Sequence, residues 1–452
     1  MDRQEQKFIR MTTEPVGRLI CEMSVPTIVS MLVTAAYNMV DTFFVGQMHS
    51  NSATGAVGVV FSMMTIMQAV GFFFGQGSGT YMSRQLGSKN VENASRMAIT
   101  GVVLSTVTGA VITVLGLLFL DPLARFLGST ETILPYARDY LRFILLGAPY
   151  MMASFTLNNQ LRFQGSAQYA MYGILTGAVI NVGLDPLLIF TFDMGIAGAA
   201  LATILGQFAS FCLLLVGTTR GGNLRLRFSH LQISRSILVE IWKGGFPSLC
   251  RQGLMSVSTI CLNTAARIFG DVAIAAMGIV SRSMMMANSA VIGFGQGFQP
   301  VIGFNYGAGL IERIKKGFWF CIRWGTLFLL FVGAAGFAFA PQIIAVFRDD
   351  PAVIAFGARA LRFQCCTVFA SATVITANMM TQCMGKTGYA TLLAMARQGL
   401  FLIPMVLVLP SAIGELGLQL AQPIADVLSL GVTLVVMRSV WRELDTAQIS
   451  DN

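Results

Sequence analysis

Residues 24–46 read SVPTIVSMLVTAAYNMVDTFFVG, an apolar run that contains a single carboxylate, Asp41. About 20 predominantly apolar residues are enough to cross a bilayer as a helix, so the run predicts a transmembrane span. A charged carboxylate inside a span costs at least about 2.5 kcal/mol. Tyr37 and Asn38 lie one helical turn before Asp41, where they can hydrogen-bond it. Asp41 therefore either seals a contact between helices or forms a cation or proton site.

The whole chain has the composition of a membrane protein. Of its 452 residues, 55% are hydrophobic and 11% are charged, whereas about 25% of the residues of a soluble domain are charged. Windows of about 20 apolar residues recur twelve times along the sequence. We therefore predict an all-α polytopic membrane protein with twelve transmembrane helices and the lipid bilayer as its surroundings.

The distribution of basic residues predicts the orientation of the chain. Most of the 30 Lys and Arg residues fall in segments on the same side of the membrane as both termini. Since basic residues concentrate in cytoplasmic loops, we expect both termini in the cytoplasm and the protein in a bacterial cytoplasmic (inner) membrane. The basic residues form no continuous patch, so no nucleic-acid partner is expected. The sequence has two histidines and no CxxC pair, and it predicts no cofactor.

The chain contains an internal repeat at an offset of 220 residues. FGQG occurs at 74–77 and again at 294–297, and LRF occurs at 141–143 and again at 361–363. Six predicted spans separate the two copies, so both copies share one orientation in the membrane. Halves of this kind are related by an axis along the membrane normal, and the substrate is expected between them.

This repeat predicts the domain organisation. We expect a monomer built from two six-helix lobes that are related by a pseudo-two-fold axis along the membrane normal. The predicted boundaries are 1–217 for the N-lobe, 218–237 for a polar cytoplasmic linker and 238–452 for the C-lobe.

A second acid inside a predicted span is Asp185, in the stretch NVGLDPLLIF at 181–190. Asn181 lies four residues before it and shares its helix face. Pro186 cannot donate a backbone hydrogen bond and frees a carbonyl nearby. Carboxylate, amide and carbonyl oxygens suit Na⁺ or a hydronium-like ion, and a capped helix break is the alternative. Asp41 and Asp185 both lie toward the outer ends of their spans, so they can meet.

The third intramembrane acid, Asp426, has no acidic partner in its own half. We expect it to pair with Arg397 or Arg282, although either it or an arginine could contact substrate. Methionines occur in equivalent spans of the two halves and include Met64 and Met284. Most such side chains pack in cores, but flexible thioethers also suit a cavity for varied apolar ligands.

Several motifs together resemble the MATE (multidrug and toxic compound extrusion) family of secondary transporters, with the closest similarity to its MepA-like bacterial branch. The resemblance covers essentially the whole chain. The motifs are SVPT at 24–27, NMVDTFFVG at 38–46, AxxAxG at 53–58, GQG at 75–77 with RxxG at 84–87, NxxxDPLLIF at 181–190, GIAGAA at 195–200 and QPIAD at 422–426.

The resemblance implies twelve helices in two six-helix lobes around a central cavity. It also implies export of cationic amphiphilic drugs, small organic cations, by antiport with H⁺ or Na⁺. A helix hinge at Pro26 is a further implication. The candidate cavity residues are Tyr37, Asn38, Met64, Met284, Arg282 and Asp426. The implied ligands of the coupling ion, including any Na⁺, are Asp41, Asn181, Asp185 and Thr203, with Asn158 nearby.

The resemblance also has a departure and an alternative. The NorM-like branch carries a second acidic site in its C-lobe, and the corresponding spans here hold no carboxylate, so coupling is expected in the N-lobe. A lipid-linked saccharide flippase of the wider superfamily is the alternative function, and it is kept open by Arg251, Arg282 and Arg397. The sequence offers no nucleophile–base pair or histidine cluster, so it does not predict an enzyme.

Overall fold

The computed structural model describes the backbone of residues 3–46 and 51–450. Within these ranges it describes every side chain except those of residues 37–43, 45, 46, 51, 53, 54 and 447–450. The side chains of three candidate site residues, Tyr37, Asn38 and Asp41, therefore lie outside the described residues.

The described chain is almost entirely helical and contains no strand in these ranges. A π-helical turn, Leu187–Thr191, follows α7, a second one, Ala396–Leu402, separates α15 from α16, and a 3₁₀ turn spans Phe228–His230. The α-helices are α1 Arg3–Thr13, α2 Val16–Gly46, α3 Asn51–Gly87, α4 Val91–Leu118, α5 Leu120–Phe126, α6 Leu134–Phe163, α7 Ala167–Pro186, α8 Gly195–Thr219, α9 Arg235–Arg267, α10 Asp271–Gly307, α11 Ile311–Ala338, α12 Ala340–Phe347, α13 Pro351–Thr367, α14 Ala370–Cys383, α15 Thr387–Met395, α16 Ile403–Ile413 and α17 Glu415–Ser450.

These helices supply the twelve predicted spans. Nine helical segments of the described chain are long and apolar enough to cross a membrane, and the pair α13–α14, bent by 55°, adds a tenth. The remaining two spans are α9 and α10, with 33 and 37 residues. At about 1.5 Å of rise per residue, each is at least about 50 Å long, well beyond the hydrocarbon thickness of a bilayer.

Contacts divide the described chain into two compact units. One contains Met1–Glu14 and Glu22–Gly245, and the other contains Pro15–Cys21 and Phe246–Asn452. We call them the first half and the second half. Each has its own apolar core. In the first half, the largest cluster surrounds the fully buried Tyr140 on α6, and in the second it surrounds Phe356 and Leu361 on α13.

The helices repeat the 220-residue offset of the sequence. Both ends of α3 and α10 correspond at this offset, as do both ends of α4 and α11. Side-chain hydrogen bonds repeat as well. Asn158 Nδ2 donates to the carbonyl oxygen of Ala170 over 3.0 Å, and Asn378 Nδ2 donates to that of Ala390 over 2.6 Å. The repeat is therefore a repeat of packing contacts in addition to sequence.

Helix ends also correspond. The helix before Gly165 and the helix before Gly385 both end in a Schellman motif, with left-handed φ values of 76° and 75°. The helices α3 and α10 end in the same way, at Lys89 with φ 61° and at Gly309 with φ 72°. A lysine tolerates this conformation less well than glycine does, so the turn after α3 is the more strained of the two.

One span differs between the halves. The helix α6 runs unbroken through Pro149, where Gly109 of α4 leaves room: a Cβ added to Gly109 would lie 2.6 Å from Pro149 Cα. At the same offset the second half has Leu329, which is fully buried against Val368. The helix breaks at Val368, between α13 and α14. The second half thus has a full side chain at this crossing, and its helix is bent there.

Candidate cation-binding site

The end of α7 is shaped by Pro186. Proline has no N–H, so the α-helical hydrogen bond to the carbonyl of Val182 cannot form. The α-helix ends at Pro186 and continues as the π-helical turn Leu187–Thr191, where Phe192 N–H donates to the carbonyl of Leu187 over 3.0 Å. Such π-helical turns are frequent at functional sites. The sequence predicted the break here but not its π-helical form.

Three of the predicted ligands meet beside this turn. Asp185 is fully buried at 0% exposure, and Asn181 is 2% exposed one helical turn before it on the same face of α7. Thr203 is 3% exposed on α8, and its hydroxyl accepts a hydrogen bond from Asn181 Nδ2 over 3.3 Å. The Thr203 hydroxyl in turn donates to the carbonyl of Ala199 over 3.0 Å. A buried amide and a buried hydroxyl are thus in contact, and a buried carboxylate lies one helical turn from the amide on the same helix face.

The amide oxygen of Asn181 indicates which kind of ligand would suit this cluster. Asn181 Oδ1 is buried and has no hydrogen-bond partner among the described residues. Buried acceptors are nearly always satisfied, and an unsatisfied one requires an explanation such as an ion. The amide N–H₂ is bonded to Thr203, so the oxygen is the group of Asn181 that needs a partner. A hydronium-like ion or Na⁺ would satisfy this acceptor, since oxygen atoms bind both.

Two glycines bring the helices of the cluster together. A Cβ added to Gly206 of α8 would lie 2.6 Å from the carbonyl oxygen of Gly177 on α7. The same Cβ would lie 3.1 Å from the Cβ of Asn181. Only glycine permits this approach, and the approach lets Asn181 reach Thr203. The contact was not predicted from the sequence, where these glycines stand in a glycine-rich background.

The predicted neighbour Asn158 lies elsewhere. Its amide donates to Ala170, which is eleven residues before Asn181 along α7, or about 16 Å of helix rise. Asn378 makes the equivalent bond in the second half. Asn158 therefore links α6 to α7 by a hydrogen bond. Its side chain does not lie with those of Asn181 and Asp185.

The predicted partner of Asp426 is Arg397. Arg397 Nε donates to Asp426 Oδ1 over 2.7 Å, and Gln422 Nε2 donates to the same oxygen over 2.9 Å. Asp426 is only 3% exposed. At the repeat offset, Arg397 corresponds to Gly177 and Asp426 to Gly206. The second half therefore has an ion pair where the first half has the contact of Gly177 with Gly206.

The other arginines and the methionines have different surroundings. Arg251 Nη1 donates to Asn378 Oδ1 over 3.0 Å, a bond that the sequence did not reveal. Arg282 is exposed on α10 and has no ion pair within the described part of the chain. Met64 packs against the core of the first half. Met284 lines a cavity of about 350 Å³ within the second half.

Pro26 lies inside α2 and is buried. The helix continues past it, and nearby hydroxyl groups donate to backbone carbonyls of the same segment. Ser30 Oγ donates to the carbonyl of Pro26 over 2.8 Å, and Thr27 Oγ1 donates to that of Ser24 over 2.8 Å. The predicted hinge thus lies inside a continuous helix, at a residue that cannot donate its backbone hydrogen bond.

Comparison with known proteins identifies the family. The MatE family model matches residues 26–187 and 247–408, one match in each half. The chain belongs to the MatE family. Membership accounts for the internal repeat, because the family model itself matches twice.

Curated MatE relatives match over nearly their whole length. One is the multidrug export protein MepA of Staphylococcus saprophyticus, 26% identical over 417 residues, which covers 91% of this chain and 92% of the relative. Another is the multidrug export protein MepA of Staphylococcus haemolyticus, 25% identical over 448 residues and 99% of each chain. The predicted MepA-like branch is thereby confirmed.

Solved structures confirm the fold. A crystal structure of a MATE in complex with MaL6 matches with a TM-score of 0.91 and 24% identity over 97% of this chain and 99% of the other. An outward-facing multidrug resistance MATE family transporter of the MOP superfamily matches with the same TM-score and 24% identity over 97% and 98%. The twelve-helix, two-lobe architecture of MatE proteins therefore applies to this chain, which is a multi-pass membrane protein.

Proposed function

We propose that the protein is a multidrug efflux transporter that exports cationic amphiphilic compounds in exchange for H⁺ or Na⁺ bound at Asp185. Export is the activity named for the MepA relatives, which share its full length and its family. The observation that carries the coupling site is the buried cluster of Asp185, Asn181 and Thr203, with a buried amide oxygen of Asn181 that lacks a hydrogen-bond partner among the described residues. Asp41 is the proposed second carboxylate of this site.

The mechanism needs competition for one negative charge. A carboxylate deep in a membrane protein is stable only when it is protonated or when a cation is bound to it. A drug cation that favours the ionised cluster therefore releases the proton or Na⁺, and the returning ion releases the drug. Alternating access between the two membrane faces turns this exchange into transport.

The available driving force follows from the stoichiometry. Exchange of one drug cation for one proton moves no net charge, and a pH difference of one unit then supplies about 1.4 kcal/mol. Exchange of one drug cation for two protons adds about 2.3 kcal/mol per 100 mV of membrane potential. Both schemes use the same carboxylates and differ only in how many of them release a proton.

Pro26, Met64 and Met284 complete the proposal. Pro26 would allow α2, the helix that carries Asp41, to bend when the cluster changes its charge. The two methionines, together with Tyr37, Asn38 and Arg282, are proposed to contact varied substrates.

We propose a monomer in a bacterial cytoplasmic membrane with both termini in the cytoplasm, because the basic residues concentrate on that side.

The flippase alternative has less support from the arginines. It requires several guanidinium groups that are available to an anionic headgroup. Arg397 is paired with Asp426, and Arg251 is bonded to Asn378. Of the three intramembrane arginines, only Arg282 is exposed. Transport of a fluorescent lipid-linked sugar by the reconstituted protein, with no transport of organic cations, would favour the flippase.

The test is export of ethidium, a fluorescent organic cation, by everted membrane vesicles with the pH and Na⁺ gradients imposed one at a time. We expect Asp185→Asn and Asp41→Asn to reduce export to the level of vesicles without the protein. Asp193→Asn is the matched control, because Asp193 is exposed in the loop after α7. The gradient that drives export identifies the ion. Normal export by both asparagine variants would refute the coupling site.

A further inference from the structure

A second cavity lies in the second half, near the end of α11 and the start of α13. It has a volume of about 500 Å³ and is lined by Phe337 of α11, Pro341 of α12 and one face of α13. The α13 residues at the cavity include Ala355, Arg359 and Arg362. This volume lies within the range of pockets that bind small molecules. Apart from the two arginines, the lining is apolar.

The two guanidinium groups lie at the rim of the span. Phe337 is in the last turn of α11, a helix of 28 residues that is long enough to cross the bilayer completely. Arg362 Nε donates to the carbonyl of Phe337 over 3.2 Å, and its guanidinium lies 5.5 Å from the Phe337 ring centre. Both arginines are exposed and one helical turn apart. This level of a membrane protein is where lipid headgroups lie.

No acid in the described part of the chain pairs with these two arginines. Among the described residues, neither Arg359 nor Arg362 has a carboxylate within ion-pair distance. The acids nearest in sequence are Asp349 and Asp350 at the start of α13, about 13 Å of helix rise before Arg359. Asp350 already accepts the N–H of Ala352 as the helix cap, over 2.9 Å.

The corresponding place in the first half is neutral. Asp121 corresponds to Pro341 at the repeat offset, and it accepts a hydrogen bond from Arg138 Nε over 2.8 Å. Asp139 corresponds to Arg359, and Arg142 corresponds to Arg362. The first half thus has two acids and two arginines where the second half has two arginines alone. Divergence from a common repeat has made one of two equivalent places cationic.

We propose that this cavity binds one anionic phospholipid from the surrounding leaflet, with its phosphate held by Arg359 and Arg362 and an acyl chain in the apolar cavity. Guanidinium groups bind phosphate by charge-assisted, bidentate hydrogen bonds. The apolar lining beside them selects an amphiphile over a soluble anion, because a soluble anion would leave the cavity without an apolar occupant. The proposal does not depend on the coupling site.

The test counts lipids bound to the purified full-length protein by native mass spectrometry, with added dioleoyl phosphatidylglycerol or dioleoyl phosphatidylcholine. We expect the unmodified protein to bind one tightly held phosphatidylglycerol, about tenfold more strongly than phosphatidylcholine, as one charge-assisted contact provides. The double variant Arg359→Gln with Arg362→Gln should lose this preference. Arg142→Gln, at the position that corresponds to Arg362, should retain it.

A second variant separates the acyl chain from the headgroup. Ala355→Trp fills the cavity and leaves both arginines in place, so it should also lose the tightly held lipid. Millimolar inorganic phosphate should not displace the lipid. Equal binding of the two lipids, equal losses in Arg142→Gln and the double variant, retention of the lipid by Ala355→Trp, or displacement by inorganic phosphate would each overturn the proposal.

Discussion

The contact of α7 with α8 in the first half and the contact of the Ala396–Leu402 π-helical turn with α17 in the second half occupy the same place in the repeat. The first contact is made by Gly177 and Gly206, and the second by Arg397 and Asp426. In the first half, the buried acid Asp185 lies beside amide and hydroxyl groups. In the second, the buried acid is paired with a guanidinium. One frame therefore holds a buried acid beside an amide and a hydroxyl in the first half and a buried acid paired with a guanidinium in the second.

This difference teaches how a symmetric scaffold acquires an asymmetric function. The repeat supplies two equivalent places, one with two glycines in contact and the other with the ion pair of Arg397 and Asp426. In the second half, the π-helical turn is Ala396–Leu402 and carries Arg397 itself. In the first half, the π-helical turn follows Pro186.

The largest expected effect is on the second half. Asp426→Asn or Arg397→Gln leaves one buried charge without its partner, which costs about 3–5 kcal/mol of unfolding free energy. Thermal unfolding of the purified protein would measure it. The double variant Arg397→Gly with Asp426→Gly recreates the contact of the first half and should lose only about 2 kcal/mol, the cost of two helical glycines. Single variants as stable as the unmodified protein would show that the pair is not a fixed contact.

The next effect is on the glycine contact of the first half. Gly206→Ala places a Cβ 2.6 Å from the carbonyl oxygen of Gly177, so α7 and α8 must separate, at a cost of about 1–3 kcal/mol. The separation should also reduce export, because Asn181 loses its bond to Thr203. Gly183→Ala is the control on α7, since its Cβ would meet no atom within 4 Å. Equal losses in both variants would contradict a specific contact.

The smallest expected effect concerns α1, which belongs to the first half. Burial, together with the charge of Arg10, lowers the pKa of Lys7 from 10.5 to about 7. Its Nζ donates to Asn223 Oδ1 over 2.7 Å and to Ser166 Oγ over 2.9 Å. An undocked Lys7 binds a proton below pH 10.5, whereas the docked one does so only below about 7. Docking therefore strengthens as the pH rises between these values, by at most about tenfold per pH unit.

Chymotrypsin cleavage at Phe8 would measure this docking. The cleavage rate, corrected for the activity of the protease, should fall from pH 7 to pH 9 in the unmodified protein. Lys7→Met removes the titrating group, and its cleavage should not depend on pH. A pH dependence that persists in Lys7→Met would assign the effect to another group.

The sequence predicted the features that depend on composition and local spacing. It predicted the spans, the repeat and the shared helix face of Asn181 and Asp185. For Asp426 it offered two partners, Arg397 and Arg282, and the structure shows Arg397. It did not predict the bond of Arg251 to Asn378 or the contact of Gly177 with Gly206. These depend on the rotation of each helix about its axis and on the distance between helices, which neighbouring spans determine together.

The break at Val368 has a mechanical consequence. The equivalent helix α6 is one continuous rod, so a displacement at one membrane face reaches the other with little loss. The second half carries a joint of 55° at the same depth. A displacement of α13 can change the angle at this bend while α14 stays in place. The two halves of one repeated fold thus differ in stiffness, with one suited to transmit a movement and the other to yield to it.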